Sequence, residues 1–189
     1  MPAIKELHQV GLRAALASGK VTSKGMADVS ILTGDMEAAG HGFYIDQTSI
    51  SQLNDLLAGK SLSAYLTHED AGEDRLGQEV GVFSDFYLDG ETQLRAKSFK
   101  FMDSFMEENP KEHKTLVQLA KDFPDQLGVS PVIRYGLAWV CDDGEELDAD
   151  ENERPANAVR ALPSARIGGV RSADFVKNPA ANVAFYSQI

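Results

Sequence analysis

Three polar residues, His68, Ser130 and Asp174, each interrupt or close an apolar run, and their types are those of acyl-transfer chemistry. His68 ends Leu62-Ser63-Ala64-Tyr65-Leu66-Thr67 and precedes a polar loop to Arg75, so its imidazole falls where a strand stops and a cleft can open. The other histidines have plainer settings: His8 and His113 in helical contexts at the surface, His41 in a turn between Gly40 and Gly42. Ser130 lies inside Leu127-Gly128-Val129-Ser130-Pro131-Val132-Ile133. A hydroxyl there costs free energy unless a neighbour pairs with it. Asp174 stands in Val170-Arg171-Ser172-Ala173-Asp174-Phe175-Val176, just ahead of the rigid turn Asn178-Pro179-Ala180. A carboxylate among apolar residues needs a cation or hydrogen-bond donors. Arg171 would make it structural. A histidine would instead have its Nδ1–H held by the carboxylate, which fixes the tautomer and stabilises the imidazolium formed when the ring takes a proton from a serine. The plain readings are a structural histidine, a core serine bonded to a backbone carbonyl, and an ion-paired aspartate.

Other chemistries fit worse. Val132 stands where G-x-S-x-G would need its second glycine, and strands and helices do not alternate as an α/β-hydrolase requires. Asp142-Asp143-Gly144-Glu145-Glu146-Leu147-Asp148-Ala149-Asp150-Glu151 lacks the spacing of a calcium loop, and there is neither a His-x-x-x-His nor a cysteine pair for zinc. Phosphate-binding loops of the G-x-x-x-x-G-K-[ST] and G-x-G-x-x-G types are missing. No metal and no cofactor is expected.

At 189 residues the chain suits one domain spanning 1–189, and 43% hydrophobic with 25% charged residues matches a globular protein. A net charge of −11 repels phosphate backbones and anionic lipid heads, so neither nucleic acid nor membrane is an expected partner. Met1-Pro2-Ala3-Ile4-Lys5-Glu6 lacks the apolar core of a signal peptide, and no apolar run approaches bilayer length. The expected compartment is cytosolic. A single cysteine, Cys141, excludes a disulfide within the chain.

The elements that must position these residues are mostly strands. Runs at 61–67, 77–88, 93–99, 127–134 and 170–176 are short, β-branched or aromatic, and bounded by turn residues. Asp89-Gly90 predicts a hairpin between the second and third. Ser49 with Gln52 forms a capping box ahead of Leu53, Leu56 and Leu57, predicting a helix over 50–58 ended by Gly59. Asn109-Pro110-Lys111-Glu112 starts another that Pro124 stops. Residues 6–16 allow a short helix or arm. Like charges make 142–153 an expected mobile loop. Strands outnumber helices without alternating with them, which predicts an α+β domain built on an antiparallel β-barrel or strongly curved sheet with a few surrounding helices.

Three segments together resemble the tailed-phage prohead proteases, capsid-maturation serine proteases related in fold to the herpesvirus assemblins. They are Leu66-Thr67-His68-Glu69-Asp70 followed by Leu76-Gly77-Gln78-Glu79-Val80-Gly81-Val82-Phe83, then Leu127-Gly128-Val129-Ser130, then Ala173-Asp174-Phe175-Val176-Lys177-Asn178-Pro179-Ala180-Ala181-Asn182. Each motif is degenerate, and the order histidine, serine, acid carries the likeness. The assemblins use a second histidine in the third place. The resemblance implies a herpesvirus-protease-like fold and a serine endopeptidase in which Ser130 is the nucleophile, His68 the base and then the acid, and Asp174 the residue that orients the imidazole. It implies scaffolding protein, the major capsid protein and the protease itself as substrates, homodimerisation as in the assemblins, and a location inside the assembling prohead in the host cytoplasm. By position in the fold, the turn 178–182 is the candidate for oxyanion donors. The end at Ile189, soon after the last motif, suggests a self-trimmed or truncated form. Two alternatives are a non-catalytic capsid- or scaffold-associated protein of the same fold, and an acidic module that uses 142–153 to hold calcium or a basic partner.

Overall fold

The computed structural model describes residues 5–6, 20–38, 41–66 and 79–177. Its strands are β1 (Lys5–Glu6), β2 (Val21–Thr22), β3 (Gly25–Thr33), β4 (Met36–Ala38), β5 (Phe43–Ile45), β6 (Leu62–Tyr65), β7 (Glu79–Asp89), β8 (Gln93–Phe101), β9 (Leu127–Val140), β10 (Glu146–Asp148) and β11 (Ser164–Lys177). The helices are α1 (Gln47–Leu57), α2 (Asp103–Glu108) and α3 (Pro110–Asp122).

The strands make two open sheets. One runs β1-β9-β11-β5-β4 with β10 also on β9, and the other runs β2-β3-β8-β7-β6. This mixed α/β arrangement of two open sheets overturns the expected α+β domain built on one antiparallel barrel or strongly curved sheet, and the herpesvirus-protease-like expectation falls with it. Closing a barrel needs a continuous hydrogen-bonded ladder around the whole circuit. Here the sheets meet along the β11 edge only through an isolated parallel bridge, Leu66 to Phe175, among the described residues. The single parallel step inside the first sheet is β5 on β11, at Ser164 and Tyr44.

Local chemistry explains most elements. The α1 N-cap is Asp46, whose carboxylate accepts from the Ser49 amide while the Ser49 hydroxyl accepts from the Asp46 amide. The capping box therefore begins three residues earlier than Ser49 as cap would place it, and Ile50, Leu53 and Leu57 form the buried stripe. Gly59 follows in the left-handed region at φ +68. α3 starts at Pro110 after Asn109, whose side chain makes no capping bond, and its end at Asp122 is followed by a 3-10 turn from Pro124. β7 and β8 form the expected hairpin, but Asp89 pairs with Gln93, leaving Gly90, Glu91 and Thr92 as a three-residue loop.

The core lies between the sheets and under α1. Phe99 is its centre, with ring centroids 4.7 Å from Phe83, 4.9 Å from Phe101 and 5.0 Å from Phe175. Phe175 comes from the first sheet and the others from the second, so one aromatic cluster joins both. Burying each ring contributes roughly 1.5–3 kcal/mol. His113, expected at the surface, rests edge-on against Phe101 at 4.7 Å and its Nε2–H donates to the Ser23 carbonyl at 2.8 Å. It fastens α3 to the β2–β3 turn.

Candidate functional site

β9 and β11 carry two of the three candidate residues. They pair antiparallel from Leu127 opposite Lys177 to Ala138 opposite Ser164, with register shifts between Ile167 and Gly169 and between Val170 and Ser172. Beyond those bulges the ladder is regular, and Asp174 stands directly opposite Ser130. Side chains alternate along a strand, so Val129, Ile133, Ala173 and Phe175 face the shared core. Ser130 and Val132 on β9, with Ser172 and Asp174 on β11, occupy the opposite face. Val132 is accordingly buried yet outside the main core cluster.

That second face is buried too. Ser130 is 1% exposed, Ser172 1% and Asp174 0%. Directly opposed residues have Cβ atoms about 4.5–5.5 Å apart, which puts the Ser130 hydroxyl and the Asp174 carboxylate in one polar patch. Neither side chain is without a partner. Arg171, the cation of the structural reading, is exposed, and among the described residues no ion pair joins it to Asp174. Pro131 is accommodated because its face of the backbone needs no ladder donor: among the described residues β1 joins that side of β9 only at Arg134 and Tyr135.

His68 lies outside the described residues, as does the turn 178–182 named for oxyanion donors. Thus the structure brings Ser130 and Asp174 together and leaves the third member undetermined. The chain nearest to it in sequence is Leu66, which bridges Phe175, the neighbour of Asp174.

A second polar cluster escaped the sequence reading. Arg166 of β11 donates through Nε and Nη2 to both oxygens of Glu146, at 2.9 and 2.6 Å, and through Nη1 to both oxygens of Asp46, at 3.1 Å. The Ser49 hydroxyl donates to the Ala165 carbonyl at 2.7 Å, and Gln52 Oε1 accepts from the Ile167 amide at 2.8 Å. These contacts seat the start of α1 on β11. Desolvation pushes the Asp46 carboxyl upward, but the Ser49 amide, the Arg166 charge and the Ser49 and Ser164 hydroxyls outweigh it and hold the group below the usual carboxylate range. Burial likewise disfavours the Arg166 charge, and the two carboxylates more than restore it. The signal was available: Arg166 sits in the small-residue run Ser164-Ala165-Arg166-Ile167, the same kind of interruption that marked Asp174.

The same cluster explains the acidic stretch. Glu146, Leu147 and Asp148 form β10 against Val140, Trp139 and Ala138, so part of the expected loop is a hairpin strand. Its last turn is tightened by Asp148, whose Oδ1 accepts from the Asp150 amide and whose carbonyl accepts from Asn152. Among the described residues no group of three or more His, Cys, Asp or Glu is placed to hold a metal ion. No helix among them is long and apolar enough to cross a membrane. No family model matches this chain, and neither the curated proteins nor the solved structures provide a relative.

Proposed function

We propose that this chain is a serine endopeptidase that cleaves scaffolding and capsid proteins, and itself, during maturation of a phage prohead. The observation that supports this reading is the cross-strand pairing of Ser130 with Asp174 on a buried sheet face turned away from the aromatic core. In the proposed reaction Ser130 Oγ attacks the peptide carbonyl carbon while His68 takes the serine proton. His68 then returns that proton to the leaving amine, and Asp174 holds the imidazole and stabilises its charged form. The enzyme would act in the host cytoplasm inside the assembling particle, without metal or cofactor, as one domain able to form a homodimer.

The test is Ser130→Ala. Cleavage of scaffolding and capsid substrates and of the chain itself should drop to background, while stability falls by no more than about 1 kcal/mol, the worth of one buried hydrogen bond. Retained cleavage would refute the assignment.

One observation favours a second reading. With Ser130 only 1% exposed, no peptide reaches it unless the atoms over this face move. A non-catalytic capsid- or scaffold-associated protein would keep the Ser130–Asp174 pair as a buried structural contact. It predicts no labelling of Ser130 by a fluorophosphonate, whereas the peptidase reading predicts labelling at that residue alone.

A further inference from the structure

Ser172 is 1% exposed, and among the described residues its Oγ has no hydrogen-bond partner. A buried hydroxyl without a protein partner weakens a fold and calls for an explanation. Its place suggests one. Ser172 is two residues before Asp174 on the regular part of β11, and so shares the face that carries Ser130 and Asp174. Its cross-strand neighbour is Val132, which makes Ser130 its diagonal neighbour at roughly 7–8 Å, and less between Cβ atoms. The two hydroxyl-bearing residues are therefore neighbours on one sheet face.

We propose that the Ser172 hydroxyl is a side-chain donor to the oxyanion formed when Ser130 attacks, an inference that rests on the reading of Ser130 as nucleophile. As the Ser130 Oγ–carbon bond forms, the carbonyl π pair moves onto oxygen and the serine proton moves to His68. Ser172 donates a hydrogen bond to that oxygen and transfers no proton. When the pair returns to re-form the carbonyl, the carbon–nitrogen bond breaks and the amine leaves with the proton from His68. A donor with no ground-state partner is set for charge that exists only in the transition state, which is where such a group accelerates a reaction.

The experiment uses the full chain and a fluorophosphonate, whose reaction with Ser130 also drives negative charge onto an oxygen. Ser172→Ala is expected to lower the maximal labelling rate about 100-fold, the usual effect of losing one oxyanion donor, with the half-saturating probe concentration unchanged. Its melting temperature should equal or exceed that of the parent, because an unpaired buried oxygen has been removed. Ser172→Thr, which keeps the hydroxyl, should recover most of the rate. Labelling of Ser172→Ala at the parental rate, or a slowed rate accompanied by a lower melting temperature, overturns the donor role while leaving Ser130 as nucleophile. A parent chain in which Ser130 does not label at all removes both.

Discussion

Asp46 shows how a single carboxylate can govern acid stability. Its folded pKa is depressed, so its contribution is fully present above the unfolded value of about 3.9 and is lost as pH falls through the lower folded value. Asp46→Asn should therefore cost stability at neutral pH, by about 3 kcal/mol for breaking a buried ion pair with Arg166. The difference between the two proteins should shrink as pH drops below 4, where the parent carboxylate also becomes neutral. Chemical denaturation at pH 7 and pH 3 measures both; a pH-independent gap would mean that the cap hydrogen bonds, and not the charge, carry the effect. Cys141 behaves differently. Burial first, then Asp143, Glu145 and Asp142, push its thiol up, so it is a packed apolar group and not a nucleophile. At this scale the sequence announced polar atoms in apolar runs but not their meaning: Asp174 and Arg166 look alike as interruptions, yet one faces a serine and the other bridges two carboxylates.

Short apolar runs bounded by turn residues were legible as strands, and strands broken by charge or by backbone irregularity were not. β6, β7, β8 and the halves of β9 and β11 that carry Ser130 and Asp174 follow from β-branched and aromatic runs between turn residues. β3 was missed because Asp28 sits at φ +52 and the ladder shifts again between Ser30 and Leu32, so its buried side chains do not keep a period of two. β10 was hidden by charge, since the ion pair that makes Glu146 at home comes from a residue far along the chain. The barrel expectation failed because pairing between distant strands is decided at edges, and nothing in the local pattern shows that only Leu66 and Phe175 would link the two sheets there. Close packing within the second sheet makes a prediction at this scale. A Cβ on Gly81 would collide with the Lys100 carbonyl and lie 2.6 Å from Phe99 Cζ. Backbone cannot yield cheaply across a central ladder, so Gly81→Ala should destabilise by about 2–3 kcal/mol, as overpacked core sites do. Thermal melting checks this, and a neutral effect would mean that β7 and β8 can separate locally. Gly90→Ala makes the contrast, because a Cβ there meets nothing within 4 Å and only its φ of +69 resists, for a penalty near 1 kcal/mol.

The whole molecule carries a net charge of −11 held together by a core that both sheets share. Like charges spread over one surface repel, and that repulsion opposes the compact state more than the expanded one. Two ion pairs, Arg95 with Asp89 and Arg160 with Asp35, use carboxylates that are more than half exposed, so they contribute little and salt has little attraction there to screen away. The Arg166–Asp46 pair is nearly dry and screening scarcely reaches it. Shortening the Debye length from about 30 Å at 0.01 M salt to about 3 Å at 1 M should therefore remove more repulsion than attraction. The melting temperature should rise with sodium chloride. Because Phe99 touches rings from both sheets, the melt should also remain a single transition at every salt concentration. A melting temperature that falls with salt would mean that surface ion pairs outweigh the excess of acid. Two separate transitions would mean that the aromatic cluster does not couple the sheets, and then the β9–β11 pair bearing Ser130 and Asp174 would be free to open while the β7–β8 hairpin stays folded.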